Sequence, residues 1–185
     1  MKTFITSDIH FSHTNIMKFC PDSRKFKDVT DMDESIVRIW NSVVGVDDLT
    51  YILGDVAFCP AAKAASLVSR LNGRKILIKG NHDSKLVKDA QFCREFEEIV
   101  DYKRFTHNGQ SVVLFHYPIW EWDQMHRGAV HFHGHLHARP TGIEGRIFDV
   151  AMDGNNCVPY DMDRLIARVI KEPIRRHGDG DDNKM

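Results

Sequence analysis

Cysteine is scarce and scattered: Cys20, Cys59, Cys93 and Cys157 form no CxxC pair. This excludes a zinc knuckle and a disulfide-dense secreted scaffold, and leaves reduced thiols in a cytoplasmic protein as the expectation. No stretch approaches the roughly 18 consecutive apolar residues that a membrane span requires. The apolar start from Met1 to Ile5 meets Asp8 and His10 before a signal-peptide core could form. An excess of one charge is also missing. Lys plus Arg number 25 against 26 Asp plus Glu, a formal charge of -1. No broad field therefore gathers a polyanion, which disfavours a dedicated nucleic-acid binder while leaving phosphate-ester enzymes open.

What is abundant is histidine, 11 in 185 residues, mostly beside Asp, Asn or Gly. With 42% hydrophobic residues the chain can bury one ordinary core. The expected organisation is a single domain over 1–172, followed by a polar tail over 173–185 that frays. The pattern gives no oligomeric signal.

Apolar β-forming runs end repeatedly in polar turns. Phe4–Thr6 leads to Ser7-Asp8-Ile9-His10, Thr50–Leu53 to Gly54-Asp55, and Lys75–Ile78 to Gly80-Asn81-His82-Asp83. Between them, Asp31 and Glu34 resemble a capping box before Ile36, Ile39, Trp40, Val43 and Val44 at helical spacing. Pro60 opens an alanine-rich helix carrying Ala64, Leu67, Val68 and Leu71. Later, Asn108-Gly109 marks a hairpin between Ile99–Thr106 and Ser111–Phe115. Strands are expected at 129–132 and 147–151, and a last amphipathic helix carries Met162, Leu165, Ile166, Val169 and Ile170 up to Pro173. A βαβαβ start with a strand-rich second half predicts an α/β layered domain with mixed sheets.

In open α/β sheets ligands gather at the carboxyl ends of the strands, so the polar turns are expected to converge. Imidazole and carboxylate suit borderline divalent metals, and this set is too large for one tetrahedral site. Two metals bridged by a carboxylate would use it all, and paired metals about 3.5–4 Å apart serve phosphoester hydrolysis. The glycines fit turns with positive φ or close backbone approach.

Asp8-x-His10, Gly54-Asp55, Gly80-Asn81-His82-Asp83, His116 and Gly134-His135-Leu136-His137 together resemble the five blocks of the calcineurin-like metallophosphoesterases. They occur in the family's order across residues 8–137. The resemblance implies a mixed β-sandwich flanked by helices, in four layers, with a dinuclear site at one edge. It implies that Asp8, His10 and His137 hold one metal, that Asp55 bridges, and that Asn81, His116 and His135 complete the second. His82 would contact the phosphate and protonate the leaving alkoxide, with Asp83 orienting it. The two divalent ions, Mn²⁺ first and Fe, Zn, Ni or Co as alternatives, would lower the pKa of a shared water to give the attacking hydroxide.

The implied activity is metal-dependent phosphoester hydrolysis, diesters being favoured over monoesters, on a small or nucleotide-like substrate. The alternatives are a nuclease of the same family, which would need a basic track to the site, and a metal-free interaction scaffold, which would show eroded ligand positions. One departure stands out: relatives often continue the second block to a charged residue, where this chain has Val56-Ala57-Phe58. The chain is also too short for a large capping domain, so an open site is expected. His13, Asn15 and Arg139 are further candidates for contacting the substrate phosphate. His126, Arg127, Lys79 and Lys85 read more simply as solvated. Trp120 and Trp122 read as loop packing before base stacking; His133 is a candidate neighbour of the ligands and His131 an ordinary strand residue.

Overall fold

The computed structural model describes residues 1–176. Its elements are β1 (Thr3–Thr6), α1 (Ile16–Phe19), α2 (Val29–Val43), β2 (Leu49–Ile52), α3 (Ala61–Val68), β3 (Arg74–Ile78) and α4 (Ala90–Cys93), followed by β4 (Glu98–Val100), β5 (Tyr102–His107), β6 (Gln110–Phe115), β7 (Val130–His133), β8 (Ile147–Asp149), β9 (Tyr160–Asp161) and α5 (Met162–Val169). Among the described residues no helix is long and apolar enough to cross a membrane.

Two mixed sheets stack. The first has strand order β4-β3-β2-β1-β9 and is parallel except for β9; the second has order β5-β6-β7-β8, with β5 antiparallel to β6 and the others parallel. Period-two alternation divides each central strand between two cores. Phe4, Ile52 and Leu77 face Ile36 and Trp40 of α2 and Ala64 and Val68 of α3. Ile5, Tyr51 and Ile76 face Val112, Leu114, Val130 and Phe132 of the second sheet, where Met162, Leu165 and Ile166 of α5 join them. The outer face of the second sheet is covered more thinly, by Trp122, Met125 and Ala129 around Val113.

Several local expectations shift. The predicted strand from Ile99 to Thr106 breaks at Asp101: β4 stays with the first sheet, while β5 starts the second. The Asn108-Gly109 turn is as expected, with φ of 47° and 83° at its two centres. Helix α2 starts earlier than the capping-box reading placed it. Asp28 is the cap and accepts from the amides of Thr30 and Asp31, while Glu34 pairs with Arg70 in the turn after α3. Of the expected frayed tail, residues 173–176 are described, and Arg175 donates to the Trp120 carbonyl at 2.6 Å with its guanidinium over the indole. Residues 177–185 lie outside the described residues.

His131 on β7 is wholly buried. Its Nε2 accepts from the Ile119 amide at 3.1 Å and its Nδ1 donates to the Val113 carbonyl at 3.2 Å. Burial first, and His133 beside it, push its pKa down to about 3. The unfolded chain then takes up this proton below pH 6.5 and the folded chain does not until about pH 3. Stability is therefore expected to fall with pH through that window, by about 2 kcal/mol from this group at pH 5. Thermal melts between pH 7 and 4.5 would show the loss, and the His131 ring should not titrate by NMR in that range.

Candidate metal centre

The parallel pairing of β1 with β2 does not stop where the strands end. Leu53 donates to Thr6, Asp8 to Gly54, His10 to Asp55 and Phe11 to Val56, all through backbone amides at 2.8–3.0 Å. The first two polar turns thus run side by side and bring Asp8 and His10 against Asp55. The second sheet meets them at the same edge: the Gly134 amide donates to His116 O at 2.9 Å, and the His135 amide donates to Asp8 Oδ2 at 2.8 Å.

The cost of this convergence appears in the backbone. Asp8, His10, Asp55, His135 and His137 all sit at left-handed φ, between 52° and 70°. Asp and His tolerate this region better than most residues, yet each pays about 1 kcal/mol or more for it. The expectation that glycine would supply the positive φ holds at Gly54, with φ of 87°. Gly134 is needed for space instead, since a Cβ there would lie 1.9 Å from Ser7 Oγ and 2.4 Å from Asp8 Oδ2.

Two groups of side-chain donors result: Asp8, His10 and His137, and Asp55, His116 and His135, each with ligand atoms within 4.8 Å of one another. Asp55 Oδ2 lies between them, 3.8 Å from His10 Nε2 and 3.7 Å from His116 Nε2. Asp8 Oδ1 lies 3.7 Å from both His10 Nε2 and His137 Nε2. Among the described residues Asp8 Oδ1 and His10 Nε2 are buried without a hydrogen-bond partner, a costly state for polar atoms. His116 Nδ1 donates to the Leu53 carbonyl at 2.6 Å, so its bare Nε2 faces Asn81 Oδ1 at 2.9 Å. Two lone pairs so placed repel unless a cation shares them. The donor set therefore fits a pair of divalent ions.

A third trio, Cys20, His137 and Asp153, also has its atoms within 4.8 Å. It does not suit a cation. Arg24, Ser23 and His137 already fill the Asp153 carboxylate, and burial, then Asp153, push the Cys20 thiol up to about 11.

His82 is half exposed, with Nε2 4.0 Å from Asp55 Oδ2, and its amide donates to Asp55 Oδ1 at 3.0 Å. Asp83 does not orient it. The Asp83 carboxylate is buried and accepts from the amides of Asp55, Val56 and Gly80 at 2.8–2.9 Å, so it clamps two loops together. The implied catalytic role for Asp83 is replaced by a structural one, because three amides converge on its oxygens.

Of the candidate ligands, His10, Asp55, His135 and His137 open into a cavity of about 880 Å³, which His13, Phe19, Phe58, His82 and Arg139 also line. His13 stacks on Phe58, centroids 3.9 Å apart, and its Nδ1 is 3.0 Å from His10 Nδ1. Burial and the nearby His10, His82 and His137 lower its pKa to about 4, so near pH 7 it offers a hydrogen bond rather than a charge. Arg139 stands at the rim, its Nε donating to the Leu136 carbonyl. Asn15 is exposed and absent from the cavity wall; its backbone carbonyl accepts from the amides of Lys18 and Phe19. A second cavity of about 430 Å³ shares Phe58 and His82, with Asn81, Ser84 and Lys85 in its wall. Trp122 is buried, its Nε1 donating to Ala129 O, and Trp120 carries Arg175; neither lines these cavities.

Three contributors escape sequence reading. Phe58 is stacked on His13 and lies against His10 and His82. Arg24 and Asp153 have no motif around them, and only their complete burial against one another marks them out.

The uncharacterized protein MJ1445 of Methanocaldococcus jannaschii is 30% identical over 183 residues, with 95% of each chain covered. The chain belongs to the MJ1445 family. Gene 66 protein of Mycobacterium phage L5 is 29% identical over 74% of this chain and 77% of its own. Among solved structures, AQ665 of Aquifex aeolicus, a protein of unknown function, superposes with a TM-score of 0.72 at 27% identity. It covers 90% of this chain and 98% of its own, so it has the fold of the MJ1445-family chain. No protein-family model matches the sequence.

Proposed function

We propose that this protein is a metal-dependent phosphoester hydrolase of the calcineurin-like type, acting on diesters. The observation that carries the reading is the convergence of five motif blocks, far apart in sequence, on two donor groups joined by one Asp55 oxygen. Asp8, His10 and His137 would hold one divalent ion and Asn81, His116 and His135 the other, with Asp55 between. When bound, such ions lower the pKa of water and neutralise phosphate oxygens.

The chain's own residues do the rest. His82 leans from the cavity wall toward Asp55 and is placed to give a ring proton to the departing alkoxide, a general-acid task that imidazole side chains serve. His13 and Arg139 offer hydrogen-bond donors to a phosphate seated in the cavity. A diester carries an organic group on both sides of phosphorus, and the cavities flanking His82 offer room for both. Ile16, Phe19 and Pro21 at one end of the larger cavity suit an aromatic or nucleobase-like group.

A small diester is favoured over a nucleic-acid strand because the formal charge is -1 and several surface cations are answered by carboxylates. Arg70 pairs with Glu34, Arg74 with Glu97, Lys103 with Glu98 and Arg104 with Asp123. The metal-free scaffold is disfavoured, since the seven ligand positions all carry competent donors.

Protein stripped with chelator should lose hydrolysis of bis-p-nitrophenyl phosphate by at least about 100-fold, and added Mn²⁺ should restore it. Absence of turnover with Mn²⁺, Ni²⁺, Co²⁺ and Zn²⁺, in protein that also takes up none of them, would overturn the assignment.

A further inference from the structure

We infer that Arg24 and Asp153 are positioning residues for one metal site only, the one formed by Asp8, His10 and His137; this rests on the dinuclear reading above. Arg24 is wholly buried. Its Nε and Nη2 donate to the two Asp153 oxygens at 2.8 and 3.0 Å, while Nη1 and Nη2 donate to the carbonyls of Ile9 and Asp8 at 3.0 and 2.7 Å. One guanidinium therefore fixes the backbone of the left-handed Asp8–His10 turn and a carboxylate from the other end of the chain.

That carboxylate is spent on a ligand. Asp153 Oδ2 accepts from His137 Nδ1 at 2.8 Å, and Ser23 Oγ donates to Oδ1 at 2.5 Å. With its proton held on Nδ1, the His137 ring presents a bare Nε2 toward Asp8 Oδ1, 3.7 Å away. A carboxylate behind a ligating imidazole fixes its tautomer and rotation and makes it a stronger donor, typically worth ten- to hundred-fold in metal affinity. The other group is built differently: His116 leans on the Leu53 carbonyl, and Asn81 is a neutral ligand. Arg24 and Asp153 touch none of its side chains in the hydrogen bonds described. Their removal should be felt on one side alone.

The experiment is a Co²⁺ titration of the stripped full-length protein, followed by visible absorption and by calorimetry. Wild type should take up two ions. Asp153→Asn should weaken one event about ten- to hundred-fold and leave the other within about twofold. Combining it with His137→Ala should add nothing to the loss that His137→Ala causes alone. Equal weakening of both events, or of neither, would overturn the inference. A wild type that binds no Co²⁺ would instead sink the dinuclear reading. Should Asp153→Asn fail to fold, ¹⁵N NMR of the metal-free wild type in alkaline buffer decides. A protonated Nδ1 and bare Nε2 on His137 support the role, and the opposite tautomer overturns it.

Discussion

Asp55→Ala is expected to lose both metal ions and at least about 10³-fold in turnover, some 4 kcal/mol of transition-state stabilisation. The size follows from the position of Oδ2, within 4.0 Å of Nε2 on His10, His82 and His116. Removing the carboxylate takes the charge that, among the described residues, the two donor groups share, and leaves imidazoles facing one another. Asp55→Asn separates charge from shape, because its amide oxygen can still accept from the His82 amide, now held at 3.0 Å by Asp55 Oδ1. It should lose nearly as much activity while melting close to wild type. Metal content by mass spectrometry and turnover on a diester would be read on the same samples. Retention of two ions by Asp55→Ala would refute the bridging assignment.

His82→Ala is expected to keep both ions and lose about 10²–10⁴-fold in turnover. The loss should depend on the leaving group. A nitrophenolate departs without help, so the deficit should be small on an aryl diester and largest on an alkyl diester whose alkoxide needs a proton. Equal losses on both would mean that His82 positions the phosphate and donates no proton. Asp83→Ala is the contrast: it strands three backbone amides, two of them buried, and should lower the melting temperature, with no dependence on leaving group.

Most of the strand and helix pattern was legible because burial imposes period two or 3.6 on the sequence. The runs ending at Asp8, Asp55 and Asn81 became adjacent parallel strands, and the apolar stripes of α3 and α5 were buried as read except at Ile170, which follows α5 and is exposed. The break at Asp101 was not legible, since Ile99 to Thr106 is continuously β-forming and only pairing assigns its two halves to different sheets. The start of α2 was misplaced because Asp28 and Asp31 are equally good caps in isolation.

The candidate site divides in the same way. Residue type and order were sufficient to nominate seven ligands, because few side chains can hold a divalent ion and the blocks that carry them are distinctive. Tertiary structure decided the rest. It turned Asp83 from His82 to three amides, moved Asn15 out of the cavity, and put Phe58 beneath His13. It also joined Arg24 to Asp153 across 129 residues. Such pairings depend on which loops the two sheets press together, and a hydrogen-bond partner chosen by packing leaves no periodicity along the chain. The sequence by itself determined which atoms are available for chemistry; the meeting of the two sheet edges determined which of them face one another.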